Sequence, residues 1–117
     1  MKKNLLSDYS LQLATEIETL CKSLKGDDCS NIIFQIKKSS SSVAANIAEA
    51  QYPQSLPDML SKLKIARKEC VETEYWLKHL SSSGYIPDDS FSQLRNLCGR
   101  IRRLLTSSCI TIEEKLS

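Results

Sequence analysis

The residues with the clearest chemical potential are arginines near the C-terminal end of the chain. The segment from Ser90 to Ile112 contains no acidic residue, yet it carries four arginines. The planar guanidinium group presents a fork of donors that fits phosphate oxygens, so this segment could bind a nucleic-acid backbone. The alternative is a solvated face that pairs with acidic residues of a neighbouring helix or subunit. The four residues are Arg95 and Arg102, which lie on one flank, and Arg100 and Arg103, which we expect to point outward.

A second charged segment gives a weaker signal because its charges largely cancel. Basic residues at positions 62–68 are followed at once by Glu69, Glu72 and Glu74. Arg67 and Glu74 lie one heptad apart, and we expect them to form structural ion pairs. Paired carboxylates can do acid–base chemistry or hold a metal, but no Glu-x-x-His motif accompanies these. We therefore expect neither a metal nor a cofactor.

The thiols and the imidazole do not suggest a catalytic site. The cysteines are odd in number and show no Cys-x-x-Cys spacing, which argues against zinc. Most of them fall on predicted apolar faces, where a free cysteine behaves as a small hydrophobic residue. His79 is the only histidine, so one chain cannot build a histidine-based triad, and we expect no enzyme. The cysteines are Cys21, Cys29, Cys70, Cys98 and Cys109.

Length and composition favour one small domain over residues 1–117. The chain has 117 residues, 41% of them hydrophobic, with a formal charge of +2. That charge is mild beside the strongly basic balance of a dedicated nucleic-acid module. No apolar run reaches the roughly 18 residues of a membrane span, and Met1–Asp8 turns polar too soon for a secretory signal. We therefore expect a cytoplasmic protein that does not enter membranes.

Apolar residues recur at steps of three and four, which predicts an all-α structure. Short links imply that neighbouring helices run antiparallel, so we expect an up-down four-helix bundle. Ser55 and Asp58 resemble a capping box at the start of the third helix. The predicted helices span about 5–25, 28–51, 56–82 and 88–115, with Gly26 and Gly84 as helix ends and Asp27 or Asp28 as a cap.

The second predicted helix carries an unusual run of small residues, Ser39–Ala50. Small side chains let neighbouring backbones approach closely, so we interpret the run as a site of tight helix or subunit packing. Ala44 and Ala48 leave one flank nearly bare. On the other flank lie Ser39, Ser42, Asn46 and Glu49, and the alternative interpretation is a polar ligand site built on Asn46 and Glu49.

Two aromatic residues and one glycine are also unusual for a simple bundle. Tyr75 and Trp76 are expected to project away from the seam of Cys70 and Leu77. We interpret them as an oligomer interface, together with the bare alanine flank, although RNA bases can also stack on such rings. Gly99 lies inside a predicted helix, where glycine costs about 1 kcal/mol against alanine, and indicates a close contact or a kink.

Two motifs resemble a bacterial family of four helix bundle proteins. They are Ser-Ser-Val-Ala-Ala-Asn-Ile-Ala-Glu-Ala at 41–50 and Lys-Ile-Ala-Arg-Lys-Glu-Cys-Val-Glu-Thr-Glu-Tyr-Trp-Leu at 64–77. The family includes proteins encoded by intervening sequences in 23S ribosomal RNA genes, also labelled S23 ribosomal proteins, and is similar to the accessory protein of diversity-generating retroelements. Its anchors here are Asn46 and Glu49, Glu72 and Glu74, and the link at 84–87.

The resemblance implies a ring-like homopentamer without catalysis, and it leaves two functions open. The first is binding of RNA or DNA through Arg95, Arg100, Arg102, Arg103, Lys37 and Lys38. The second is a protein-interaction scaffold for a protein encoded nearby, or an accessory subunit of an enzyme such as a reverse transcriptase. The chain departs from the family where Ala50 replaces a glycine, where a basic residue is missing from 52–54, and where Lys68-Glu69 replaces Gly-Ser.

Overall fold

The protein is a bundle of four α-helices in the described residues, 4–24 and 29–117, of a computed structural model. Each helix packs against the next in the chain, and α1 also packs against α4, which closes the bundle. The molecule measures 48 × 25 × 22 Å. This is the predicted all-α architecture. The helices are α1, Leu5–Ser23; α2, Ser30–Ala50; α3, Leu56–Ser82; and α4, Asp88–Leu116.

Contacts between helices fix their directions. The Asn4 amide donates to the Gln51 side chain at 2.7 Å, and Lys37 pairs with Glu18 at 3.4 Å, so α1 and α2 run antiparallel. The Glu49–Lys62 ion pair at 3.9 Å and a buried hydroxyl pair farther along show the same for α2 and α3.

The core is a column of aliphatic side chains and thiols at the predicted helical spacing. The apolar seam of α3 is buried along most of the helix. Its buried residues are Leu63, Ala66, Cys70, Thr73, Leu77 and Leu80. All five cysteines are buried. Contact with the Cys70 thiol, together with burial, raises the pKa of the Cys98 thiol. The interpretation of the cysteines on the apolar faces as core residues is therefore confirmed.

Helix ends follow the predicted chemistry with two differences. Ser55 Oγ accepts the Asp58 N–H at 3.2 Å, but the Asp58 carboxylate accepts from the Gln54 N–H, so the capping box is only half formed. Gly84 has φ +80 and ends α3, as predicted. α1 ends at Ser23 instead of position 25, because Leu24 turns to an extended conformation. The predicted stop at Gly26 and caps at 27 and 28 lie outside the described residues.

The small-residue run of α2 packs closely against α3. Ser39, expected on a polar shoulder, is buried, and its hydroxyl lies 2.8 Å from the Thr73 hydroxyl. Asn46 donates to the carbonyl oxygen of Ser42 at 2.8 Å and to its hydroxyl at 3.1 Å. The hydroxyls of Ser39 and Thr73 and the amide group of Asn46 thus form hydrogen bonds within the bundle, as the packing interpretation expects.

Candidate nucleic-acid interface

The four arginines of α4 line a single open cavity. Its volume is about 380 Å³, and Asn96, Gly99 and the Glu74 carboxylate of α3 complete its wall. We call it the arginine cavity. Positions 95, 99 and 102 or 103 recur every three or four residues, so one face of α4 presents them together. Arg100 and Arg103 are exposed as expected, yet they share the cavity with Arg95 and Arg102.

Arg102 is fixed by a two-point contact with Glu74. Its Nε and Nη2 donate to the two carboxylate oxygens at 3.0 and 3.1 Å. These hydrogen bonds raise the pKa of Arg102, so the group stays charged. The expectation that Glu74 forms a structural ion pair is confirmed, and its partner is Arg102 of the adjacent helix. Among the described residues no acidic side chain pairs with Arg67.

Arg95 is held by a different contact, the face of an aromatic ring. Its guanidinium carbon lies 5.2 Å from the centre of the Phe91 ring, one turn earlier on α4. Such cation–π contacts contribute about 0.5–1 kcal/mol at exposed sites. Within the described part of the chain, no acidic side chain pairs with Arg100 or Arg103, so their donors remain open to a ligand.

Gly99 forms part of the cavity wall by leaving out a side chain. A Cβ built there would lie 3.4 Å from Nη1 of Arg103, so the side chain of an alanine would be in contact with that guanidinium. α4 continues through this point from Asp88 to Leu116. Of the two expectations for Gly99, the close contact is therefore the one that the structure contains.

The cavity is strongly positive for a protein of such mild charge. Four arginines and one carboxylate line it, which leaves an excess of three positive charges around the cavity. Arginine does not lose its proton in the physiological range. The arrangement is suited to oxyanions, and phosphate is one whose oxygens accept two hydrogen bonds from a single guanidinium fork.

Lys37 and Lys38 of α2 do not line the arginine cavity. Lys37 pairs with Glu18 of α1 at 3.4 Å. Lys38 is exposed and lies near Glu69 of α3; burial and the neighbouring Glu72 charge raise the pKa of Glu69, and Lys38 partly offsets this. The six cations predicted to contact phosphates thus divide into a cluster of four and two lysines elsewhere on the bundle.

The motif acids also divide between two surroundings. Glu74 is only 20% exposed and belongs to the arginine cavity. Glu72 is exposed on α3, beside Glu69. Glu49 is exposed and pairs with Lys62, and the Asn46 amide group donates within α2. Neither residue lines the arginine cavity.

The residues predicted at an oligomer interface lie on different flanks. Trp76 packs against the core, which corrects the expectation that it projects away from the seam. Tyr75 is 57% exposed, and its ring centre lies 4.9 Å from that of Trp76. Ala44 is half-buried on α2, and Ala48 is exposed there.

An exposed leucine that sequence reasoning missed lies beside those alanines. Ala44 follows Lys37 by one heptad, and Leu11 precedes its partner Glu18 by one heptad on the antiparallel α1. The two residues therefore lie at one height on the same flank. Leu11 is 65% exposed. We call Leu11, Ala44 and Ala48 the alanine face.

Sequence reasoning also missed two members of the arginine cavity, Glu74 as the partner of Arg102 and Asn96 in the wall. The sequence did place each of these residues beside the apolar seam of its helix, and that position could have indicated that they face the neighbouring helix. In the described ranges, no three histidine, cysteine, aspartate or glutamate side chains are grouped as a metal site requires. No helix of these ranges combines the length and apolar character needed to cross a membrane.

Comparison with known proteins gives a family and a structural relative. A family model described as 23S rRNA-intervening sequence protein matches residues 2–107. The chain is similar to a crystal structure of a protein of unknown function from the S23 ribosomal protein family of Bacteroides thetaiotaomicron, with 38% identity and a TM-score of 0.85. That match covers 90% of this chain and 98% of the other. No curated protein gave a significant match.

Proposed function

Because this chain belongs to the 23S rRNA-intervening sequence protein family, we propose that it is a non-enzymatic, oligomeric protein that binds RNA or DNA in the cytoplasm. The observation that carries the proposal is the arginine cavity, which four arginines and one carboxylate line. The family name by itself assigns no ligand. The argument rests on the cavity's charge and on the fit between arginine and phosphate.

The four arginines have complementary roles in this proposal. Arg95 and Arg102 are fixed in place by Phe91 and Glu74, so little side-chain entropy is lost when they meet a phosphate. Arg100 and Arg103 are exposed and supply the adaptable contacts. Phosphate contacts of this kind position a nucleic acid without reading its sequence.

The experiment is a binding titration of fluorescent single-stranded RNA at several salt concentrations. The test variant is Arg100→Gln with Arg103→Gln, and the control is Lys22→Gln with Lys115→Gln, two exposed lysines near the ends of α1 and α4. Both double variants lose two positive charges. We expect the arginine variant to lose about tenfold or more in affinity, and its salt slope to fall by about 1.4, since each phosphate contact contributes about 0.7.

Two results would count against the proposal. One is wild-type binding that is absent or insensitive to salt, because phosphate contacts release counterions. The other is an equal loss in the lysine control, since that would reflect net charge alone. Circular dichroism of each variant should match the wild type, because all four substituted side chains are exposed.

The oligomer in this proposal is a ring built from two different faces. One is the alanine face, and the other is an apolar groove of about 450 Å³ lined by Pro57, Leu60, Ile65 and Leu116. The Glu49–Lys62 pair shows that Ala48 and this groove lie at about the same height on the bundle. A contact between two unlike faces at one height favours a closed ring over a helical filament. A pentamer is the size that the family resemblance implies.

A protein-interaction scaffold is the second candidate function, and Phe34 is the observation that favours it. Its side chain is 61% exposed on α2, and aromatic residues are enriched at interface cores. Phe34→Ser would then abolish stoichiometric co-purification of one specific protein while RNA binding is unchanged. Purification of the protein with nucleic acid alone would count against this alternative.

A further inference from the structure

The arginine cavity adjoins a second open groove. That groove has a volume of about 570 Å³ and is lined by Val71, Tyr75 and Phe91 among others. Glu74 and Arg95 line both spaces, so the two share a wall. We call the second space the aromatic groove. A ligand group in one space would therefore lie next to a group in the other.

The aromatic groove adds flat ring surfaces to its charged side chains. Tyr75 is 57% exposed, and its edge-to-face contact with Trp76, at 4.9 Å and 76°, supports the ring from one side. On the shared wall the Arg95 guanidinium lies over Phe91. Bases stack on aromatic rings and on guanidinium planes alike. The groove thus provides the type of surface that an unpaired base requires.

We infer that the two spaces form one composite site for a nucleotide of a single strand. The phosphate lies in the arginine cavity, and the attached base stacks in the aromatic groove on Tyr75 or Arg95. This inference rests on the proposed function, and it names the class of nucleic acid. Bases of a duplex are stacked on each other inside the helix, so only a single strand or an unpaired end can place a base there.

The sizes and charges of the two spaces agree with this assignment. Volumes of about 380 and 570 Å³ fall in the range of roughly 300–1,000 Å³ found for small-ligand sites. Lys78 also lines the aromatic groove, where its ammonium can meet the next phosphate of the strand. The site therefore binds one base and the phosphate on each side of it.

The test compares single-stranded and duplex RNA of one sequence, using Tyr75→Ala and the control Tyr52→Ala. Tyr52 is 89% exposed and lies in the link before α3. Stacking contributes about 1–3 kcal/mol per base, so Tyr75→Ala should weaken single-strand binding by about fivefold to a hundredfold. Duplex binding should not change, and Tyr52→Ala should bind like the wild type. A 2-aminopurine base in the single strand should lose fluorescence on binding to the wild type but not to Tyr75→Ala.

The outcomes separate this inference from the proposed function. Equal affinity for single strand and duplex, with both still dependent on Arg100 and Arg103, would overturn the inference and leave the proposed function standing. Failure of both RNAs to bind the wild type would overturn both. A smaller mass of Tyr75→Ala in light scattering would also overturn the inference, because Tyr75 would then belong to a subunit interface.

Discussion

At the scale of single residues, Glu69 is the carboxyl group whose ionisation should affect folding. Burial and the nearby Glu72 charge raise its pKa above the usual 4.5. The folded state therefore favours the protonated form, and this contribution to stability is lost as the pH rises through the raised pKa. Glu69→Gln should thus be more stable than the wild type at pH 7, with little difference at pH 4. Urea unfolding at the two pH values measures the change.

A second variant identifies the source of the Glu69 effect. Glu72→Gln removes the neighbouring charge but leaves Glu69 in place, so it should show part of the same gain at pH 7. No gain for Glu69→Gln at neutral pH would contradict the assignment. Lys38 and Lys68 partly offset the shift, and their attraction is lost in the Glu69 variant, so the expected gain is small.

Residue types and spacing were enough to identify the arginines but not how they are held. The acid-free segment of α4 predicted Arg95, Arg100, Arg102 and Arg103 as a group, and the structure brings them into one cavity. The Glu74–Arg102 contact depends on the axial register between α3 and α4. That register is set by packing of the whole seam, so the sequence predicted an ion pair for Glu74 without identifying Arg102 as its partner.

At the scale of elements, Gly99 links the stability of α4 to the shape of the cavity. Gly99→Ala should stabilise the helix by up to about 1 kcal/mol, because alanine is the better helix former. The added methyl would contact Nη1 of Arg103 at 3.4 Å and restrict the positions open to that guanidinium, so RNA affinity should fall. Thermal unfolding and the RNA titration should therefore change in opposite directions.

Gly84→Ala is the matched control for Gly99→Ala. Gly84 has φ +80 with no atom near its missing Cβ, so an alanine there is strained by the backbone alone. We expect a loss of about 1 kcal/mol in stability and unchanged RNA affinity. If both alanine variants lowered RNA affinity equally, the loss would not depend on contact with Arg103, and the role of Gly99 in the cavity would be refuted.

Helix bounds were predictable where local chemistry decides them. Ser55 and Gly84 fix the ends of α3, and the structure gives Leu56–Ser82 as predicted. Asn4, which caps α1 by accepting the Ser7 N–H at 3.0 Å, was missed because the segment before Leu5 was considered only as a secretory signal, which its polarity argues against. The buried Ser39–Thr73 contact was missed because a serine on a helical wheel gives no sign of a partner on another helix.

At the scale of the whole molecule, the two motifs identified the family, and they lie on α2 and α3, which pack together. The matched family region, residues 2–107, includes both. Helical periodicity gave the bundle, since four amphipathic helices with short links have few other ways to bury their apolar faces. Assembly could not be read in the same way. A face that contacts another copy looks, in one chain, like an ordinary exposed surface.

The ring proposal predicts an outcome that other assemblies do not give. Ala48→Arg places a charge on the alanine face, and Ile65→Arg places one in the apolar groove, where Ile65 is 40% exposed. Each substitution breaks every contact of a two-faced ring, so each variant alone should be a monomer of 13.2 kDa.

Mixing the two variants should restore one contact only. The intact groove of Ala48→Arg can bind the intact alanine face of Ile65→Arg, and the free ends of that pair carry the two damaged faces. Light scattering should therefore give a heterodimer near 26 kDa, twice the chain mass, and no ring. An oligomer that pairs the same face on both copies would not be rescued by mixing. A mixture that stays monomeric, or a wild type that is itself a monomer, would refute the two-faced ring.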